Sequence, residues 1–193
     1  MKILGICGSL REDSNTNKLV KKVAESSGVD YELLYLAEHK IEPCTGCSMC
    51  IMNEGECVIQ DDMQDIYEKM LESDAMIIGA PTYFFDISGV VKCFIDRIMA
   101  IFFRDIGPNF HTNMPWHGKR PHFGKPCVLI TTAAGEGHER ALESLKFAMD
   151  DCTNMKIVAS MAEAVEMNDV DDMSEVLKRA EAAGKKLGEA LRG

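Results

Sequence analysis

No apolar run in this 193-residue chain approaches the ~20 residues of a membrane-spanning helix, so no membrane partner is expected. The opening MKILGICGSLR holds a single lysine before Arg11. Its roughly six apolar positions are too few for the core of a secretory leader. A cytoplasmic protein is the expectation. No Pro-, Ser- or Gly-rich linker interrupts the chain, and with 46% apolar residues it is long enough for one core. A single domain over residues 1–193 is therefore predicted. Basic charge is also scarce: 21 Lys and Arg face 31 Asp and Glu, a formal charge of -10. Phosphate-backbone binding needs clustered Lys and Arg, and there is no such cluster, which argues against nucleic acid. The acid of the carboxyl-terminal third, Glu163, Glu166, Asp169, Asp171 and Asp172, reads as a solvated face.

What the chain does have is a regular alternation. KILGIC (2–7) is a short apolar run that stops at Gly8-Ser9, and Leu19, Val20, Val23 and Ala24 follow at helical spacing. YELLYLA (31–37) reads as a second strand. Asp61 and Asp62 are placed to cap a helix whose apolar stripe is Ile66, Met70 and Leu71. AMIIGAP (75–81) and CVLITTAA (127–134) are continuous apolar runs of the kind buried parallel strands make. Helices are predicted over about 88–101 and 137–149, with a polar loop over 104–125 between them. A weaker strand, 156–162, precedes a last helix over 172–191. Strand–helix alternation implies an α/β fold with helices on both faces of a parallel sheet. The favoured arrangement is the doubly wound five-stranded sheet in the order 2-1-3-4-5. Ligands then bind beyond the carboxyl ends of the strands, in the loops that begin at Gly8, Pro81 and Thr131.

The first of these loops, GSLREDSNTN (8–17), carries Ser9, Arg11, Ser14, Asn15 and Thr16 and runs into a helix N-terminus. The free N–H groups and dipole there suit a monophosphate. Gly-Lys-Ser/Thr is absent and the glycines, Gly5 and Gly8, do not make G-x-G-x-x-G, so neither a P-loop nucleotide nor a Rossmann dinucleotide is indicated. Cys7 and Arg11 are too close in sequence for a phosphatase loop, and Cys7 reads as a small core residue.

Four of the eight cysteines crowd into PCTGCSMCIMNEGEC (43–57), between strand 2 and the next helix. Cytosolic reductants make thiols or metal ligands more plausible than disulfides. The spacing through Cys44, Cys47, Cys50 and Cys57 is C-x2-C-x2-C-x6-C. Zinc sites usually join two C-x2-C knuckles across a long spacer, whereas successive x2 steps suit the corners of a cubane. A 4Fe-4S cluster on a loop over residues 43–60 is the leading reading. Zinc and a thiol or disulfide role remain open. Cys93 and Cys127 are expected in the core, nothing is indicated for Cys152, and His111, His117, His122 and His138 read as surface residues without zinc-like spacing.

GSLREDSNT, PTYFFDISGVVKCFIDR (81–97) and TTAAGEG (131–137) together resemble the flavodoxin-like, FMN-dependent oxidoreductases over roughly the first 150 residues. Joined to the cysteine motif, the chain is similar to the iron-sulfur flavoprotein family. The resemblance implies that Ser9, Arg11, Ser14, Asn15 and Thr16 hold the FMN phosphate. It also implies that Pro81, Thr82, Tyr83, Phe84, Asp86, Thr132, Ala133 and Gly135 pack on the isoalloxazine ring. Phe85 stands where many relatives have glycine. Of three consecutive aromatics, at least one should be exposed at the loop tip, where a flat cofactor covers it.

The resemblance further implies a homodimer or homotetramer, with ferredoxin or another redox donor as electron source and dioxygen, peroxide or a quinone as small acceptor. Two other readings are carried forward. One is an NAD(P)H-dependent FMN or quinone reductase with a structural zinc or thiol loop. The other is a flavodoxin-like carrier or redox sensor.

Overall fold

A computed structural model describes residues 1–103, 124–153 and 155–193. The strands are β1 (Lys2–Cys7), β2 (Asp30–Tyr35), β3 (Ala75–Tyr83), β4 (Asp86–Ile87), β5 (Pro126–Ala133) and β6 (Lys156–Ala164). The helices are α1 (Asn15–Ser26), α2 (Met49–Met52), α3 (Met63–Glu72), α4 (Gly89–Ile98), α5 (His138–Lys146) and α6 (Ser174–Arg192). Five parallel strands run in the order β2-β1-β3-β5-β6, which is the predicted winding. The expected count of five is corrected to six, because β4 pairs antiparallel with the end of β3. Two residues of strand are too few to show a period in sequence.

Other boundaries shift for local reasons. The second strand ends at Tyr35, and Leu36–Glu38 is a turn of 3-10 helix. The helix expected to Ile101 tightens into a 3-10 turn over Met99–Phe103, and the one expected to Met149 continues as a π-helix, Phe147–Cys152. The weak strand expected over 156–162 is present as a nine-residue, half-exposed edge strand, Lys156–Ala164. The polar loop expected over 104–125 lies outside the described residues except for Gly124 and Lys125, as do His111, His117 and His122 and the side chain of Cys152.

Alternation along the strands makes two cores. Leu4, Ile6, Met76, Ile78 and Leu129 face α3, α4 and α5 through Ile66, Tyr67, Phe94 and Leu145. Ile3, Ile77, Val128 and Ile130 face α1 and α6 through Leu19, Val20, Ala180 and Leu187. Each fully buried Leu, Ile or Val contributes about 1.5–3 kcal/mol. Cys7 and Cys127 are buried in these layers as expected, whereas Cys93 is only partly covered. Glu163 departs from the solvated acidic face: it is buried and takes a two-pronged ion pair from Arg179 at 2.5 and 3.0 Å. Asp169 and Asp171 are not idle either, since both bind Lys18 of α1, at 2.5 and 3.0 Å. Among the described residues no helix is long and apolar enough to cross a membrane.

At the carboxyl ends of β1 and β3 the two backbones nearly touch. Gly8 N donates to Gly79 O at 3.0 Å. A Cβ on Gly8 would stand 2.2 Å from that oxygen and 2.4 Å from Val91 Cγ2, and one on Gly79 would stand 2.3 Å from Val20 Cγ2. Overpacking of this kind costs about 1–3 kcal/mol. Gly8→Ala should lower unfolding stability by an amount in that range or above it, because the clash is with backbone. Gly89→Ala, where nothing lies within 4 Å, should stay within about 0.5 kcal/mol of the parent in denaturant unfolding.

Candidate functional site

Three loops leave the sheet side by side beyond β1, β3 and β5. In the first, Ser14 caps α1, its Oγ accepting from Asn17 N at 3.2 Å. Asn17, the last residue of that loop, braces it. Its Oδ1 accepts from Ser9 N at 3.3 Å, and its Nδ2 donates to the carbonyls of Ser9 and Arg11 at 3.4 and 3.3 Å. Ser9 Oγ in turn accepts from Arg11 N at 3.2 Å, so a buried Ser9 and an exposed Arg11 side chain are fixed on one turn. The first N–H groups of α1 have no intrahelical acceptor and point toward this loop.

Asn15 has a different task from the one expected of it. Its Nδ2 donates to Asn168 O at 2.8 Å and its Oδ1 accepts from Val170 N at 3.0 Å, tying α1 to the segment after β6. Only its backbone N–H is left for an anion. Thr16 Oγ1 and Thr132 Oγ1 are 2.6 Å apart, both buried, and join the first loop to the third. One hydroxyl proton is used in that bond. The other is not used in that bond.

The second loop is the β3–β4 hairpin, whose two tip residues, Phe84 and Phe85, have φ of 48° and 66°. Positive φ at both centres is the two-residue turn that suits a twisted hairpin, normally built from Asn-Gly. Phenylalanine there is strained, and the absent Asn-Gly explains why the hairpin was not read from sequence. Tyr83, Phe84 and Phe85 are all exposed, Phe84 by 98%, so the expected exposed aromatic tip is present threefold. Pro81 is buried beneath it. Gly137, with φ of 93°, lets α5 begin against the hairpin: a Cβ there would stand 2.9 Å from Phe85 Cα and 3.3 Å from Thr82 Cγ2. Asp86 faces Arg140 at 3.6 Å. In the third loop Thr132 and Ala133 are buried and Gly135 is open to solvent.

Two buried polar atoms here have no partner among the described residues, Thr82 Oγ1 and His138 Nδ1. His138 was expected at the surface; instead its carbonyl accepts from Thr131 Oγ1 at 2.7 Å and its ring nitrogen is covered. Unpaired buried donors and acceptors are costly, and at a strand-end crevice they mark where a polar ligand edge fits.

The cysteine loop leaves the carboxyl end of β2, next to the first loop. Cys44 and Cys47 are exposed, while Cys50 and Cys57 are half-buried against the core under α3 and α4. The backbone turns left-handed at Gly46, Ser48, Glu54 and Gly55. Among the described residues no three His, Cys, Asp or Glu side chains are gathered tightly enough to grip a metal ion. The thiols differ in chemistry. The N–H of Met49 and then the Thr45 hydroxyl lower the Cys47 thiol below its usual range. Burial first, then Cys57 and Cys44, raises that of Cys50.

A doubly wound parallel sheet with its crevice built from these three loops is the flavodoxin-like class of flavin-binding fold. Residues 1–168 match the NADPH-dependent FMN reductase family, and the chain belongs to it. It is 31% identical over 196 residues to an iron-sulfur flavoprotein of Archaeoglobus fulgidus, covering 99% of this chain and 80% of that one. It is 41% identical over 100 residues to the iron-sulfur flavoprotein MJ1083 of Methanocaldococcus jannaschii, a stretch that is 50% of this chain and 51% of that relative. The solved NAD(P)H:quinone oxidoreductase of Methanothermobacter marburgensis superposes with a TM-score of 0.69 at 14% identity, over 97% of this chain and 96% of that one, which speaks to fold.

The thiol environments predict an order of alkylation in metal-free protein. Iodoacetamide at pH 7.5 should label Cys47 first among the loop thiols. Cys7 and Cys127, buried and pushed up to about 12, should stay unlabelled until the chain unfolds. Mass mapping of a time course checks both ends of that order.

Proposed function

We propose that the chain is an iron-sulfur flavoprotein, an FMN-dependent oxidoreductase that passes electrons between a 4Fe-4S cluster on the cysteine loop and FMN in the strand-end crevice. The observation that carries this reading is the shared edge. The phosphate loop, the ring loops and the four-cysteine loop all leave the carboxyl ends of neighbouring parallel strands. The crevice suits FMN by its residues: a helix N-terminus with Ser9 and Arg11 for the phosphate, the Thr16–Thr132 hydroxyl pair above it, and the unpartnered Thr82 Oγ1 under the aromatic hairpin for the polar edge of the ring. FMN, when bound, supplies chemistry in single or paired electrons, and the cluster supplies single-electron transfer.

The protein's own residues bind, orient and cover. Asn17 keeps the Ser9–Arg11 turn rigid, so its donors need no reordering when an anion arrives. Tyr83 and the two phenylalanines offer exposed aromatic surface at the crevice for a flat cofactor to cover. For the cluster, Cys44, Cys47, Cys50 and Cys57 supply four soft thiolates from one segment, the Cys47 thiol being held below its usual range. The left-handed turns at Gly46, Ser48, Glu54 and Gly55 bend that segment back on itself, as enclosing a cubane demands. The names of the relatives favour the cluster over zinc. A ferredoxin-like one-electron donor, a small acceptor such as dioxygen, peroxide or a quinone, a homodimer or homotetramer and a cytoplasmic setting complete the proposal. The family's own description keeps a second reading in view, an NAD(P)H-dependent FMN reductase.

Anaerobic purification followed by iron, sulfide, zinc and flavin assays tests the reading. About four iron, four sulfide and one FMN per chain are expected. Zinc in place of iron and sulfide would turn the assignment to the second reading. Cys47→Ala should lose most iron and sulfide yet keep FMN, whereas Cys127→Ala should keep both. Arg11→Ala should weaken FMN about ten- to hundredfold while riboflavin binding barely changes, since a charge-assisted bond to phosphate contributes about 1.5–3 kcal/mol. Tyr83→Ala should weaken both ligands. Titrating apoprotein with each flavin decides between these outcomes, and equal loss of both ligands in the Arg11 variant would misplace the phosphate.

A further inference from the structure

Among the described residues, one of the largest fully buried side chains is a cation. Arg97, at the end of α4, is 2% exposed and faces Asp61, whose side chain is equally buried. The pair is two-pronged: Nη1 donates to Asp61 Oδ2 at 2.6 Å and Nη2 to Oδ1 at 2.9 Å. What surrounds the pair is the neck of the cysteine loop. Nη1 also donates to Glu42 O at 2.9 Å, and Nη2 to Ile59 O at 3.4 Å. Asp61 Oδ2 accepts from Glu42 N at 2.8 Å, and Oδ1 from Met63 N at 3.1 Å. Glu42 stands two residues before Cys44, and Ile59 two after Cys57. Gln64 Nε2 adds donations to Cys57 O at 3.2 Å and Ile59 O at 2.7 Å. Behind the pair, the buried Tyr67 hydroxyl donates to Arg97 O at 2.8 Å.

We propose that Arg97 is the positioning residue of the cysteine loop, its guanidinium clasping both ends of the loop through Asp61 and the Glu42 and Ile59 carbonyls. This rests on the reading of the loop as the cluster site. A buried ion pair kept only for stability is a poor choice, since well-packed apolar residues commonly do as well or better. This pair instead directs its remaining polar contacts to two chain segments seventeen residues apart in sequence, and so fixes the separation of Cys44 from Cys57. The fork of a guanidinium can reach four acceptors at once; an ammonium cannot. Cys57 packs against the same core as Tyr67, directly behind the clasp. Outer contacts of this type commonly govern metal affinity tenfold to a hundredfold.

Removing Arg97 alone would strand Asp61 in the core, so the test uses the double replacement R97M/D61L, with R97K to separate charge from fork. Metal-free full-length protein is digested with a glutamate-specific protease, which can cut the loop at Glu54 and Glu56. R97M/D61L should be cut there at least tenfold faster than the parent, with thermal midpoint and FMN stoichiometry held. R97K should resemble the double variant, because it keeps the charge but loses the fork. In anaerobically reconstituted protein the double variant should hold no more than half the parent's iron and sulfide. Unchanged cleavage at Glu54 and Glu56 together with full iron and sulfide would overturn the proposal. A parent that takes up no iron and sulfide would instead sink the cluster reading, and the digestion would still decide whether Arg97 clasps the loop.

Discussion

Beyond the ends of β1 and β3 the chain is held by an approach too close for any side chain. Gly8 and Gly79 share a 3.0 Å backbone hydrogen bond, and a methyl group on either would collide with its surroundings. That contact fixes where the first loop turns away from the second. Ser88 then ties the second loop back, its N–H donating to Pro81 O at 3.0 Å and its Oγ to Gly8 O at 3.4 Å. Thr16 and Thr132 tie the first to the third at 2.6 Å. A crevice at a topological switch point is general to doubly wound sheets. The dimensions of this one follow from two glycines and a hydroxyl pair.

The cysteine loop depends on the same frame at one remove. It leaves β2, the strand paired with β1, and its neck closes on Arg97 of α4 and on Asp61, just ahead of α3. Its depth therefore grades from exposed Cys44 and Cys47 to half-buried Cys50 and Cys57. On the proposed reading, a cluster held this way would have one side toward solvent and one toward the protein, and a flavin in the adjoining crevice would give its single electrons an acceptor that can store a pair.

Much of this was legible because the buried strands announce themselves. AMIIGAP and CVLITTAA admit little but parallel core strands, and their order of appearance with intervening helices leaves one common winding. The loops followed from the strand ends. What stayed hidden depends on partners distant in sequence. Arg97 is the last residue of a motif noticed for its aromatics, and nothing local says it pairs with Asp61, which looked like a helix cap and is one only in part. Asn15 sits among plausible phosphate ligands, yet its side chain is spent on residues 168 and 170. Glu163 belongs to an acidic run but turns inward to Arg179. Phe84 and Phe85 adopt a turn their sequence disfavours, which places three aromatic rings at a site where only one was required. The cysteine spacing was plain; how closely four thiols approach one another is not a property of spacing.

The central claim is that one chain couples a one-electron centre to a two-electron centre. The most direct measurement is an anaerobic reductive titration of the reconstituted protein with a calibrated low-potential reductant, followed by absorbance at flavin and cluster wavelengths. Uptake of about three electrons per chain, with cluster and flavin bleaching both accounted for, is the predicted result. Uptake of about two, with only flavin absorbance changing, would contradict it and leave a simple flavin reductase.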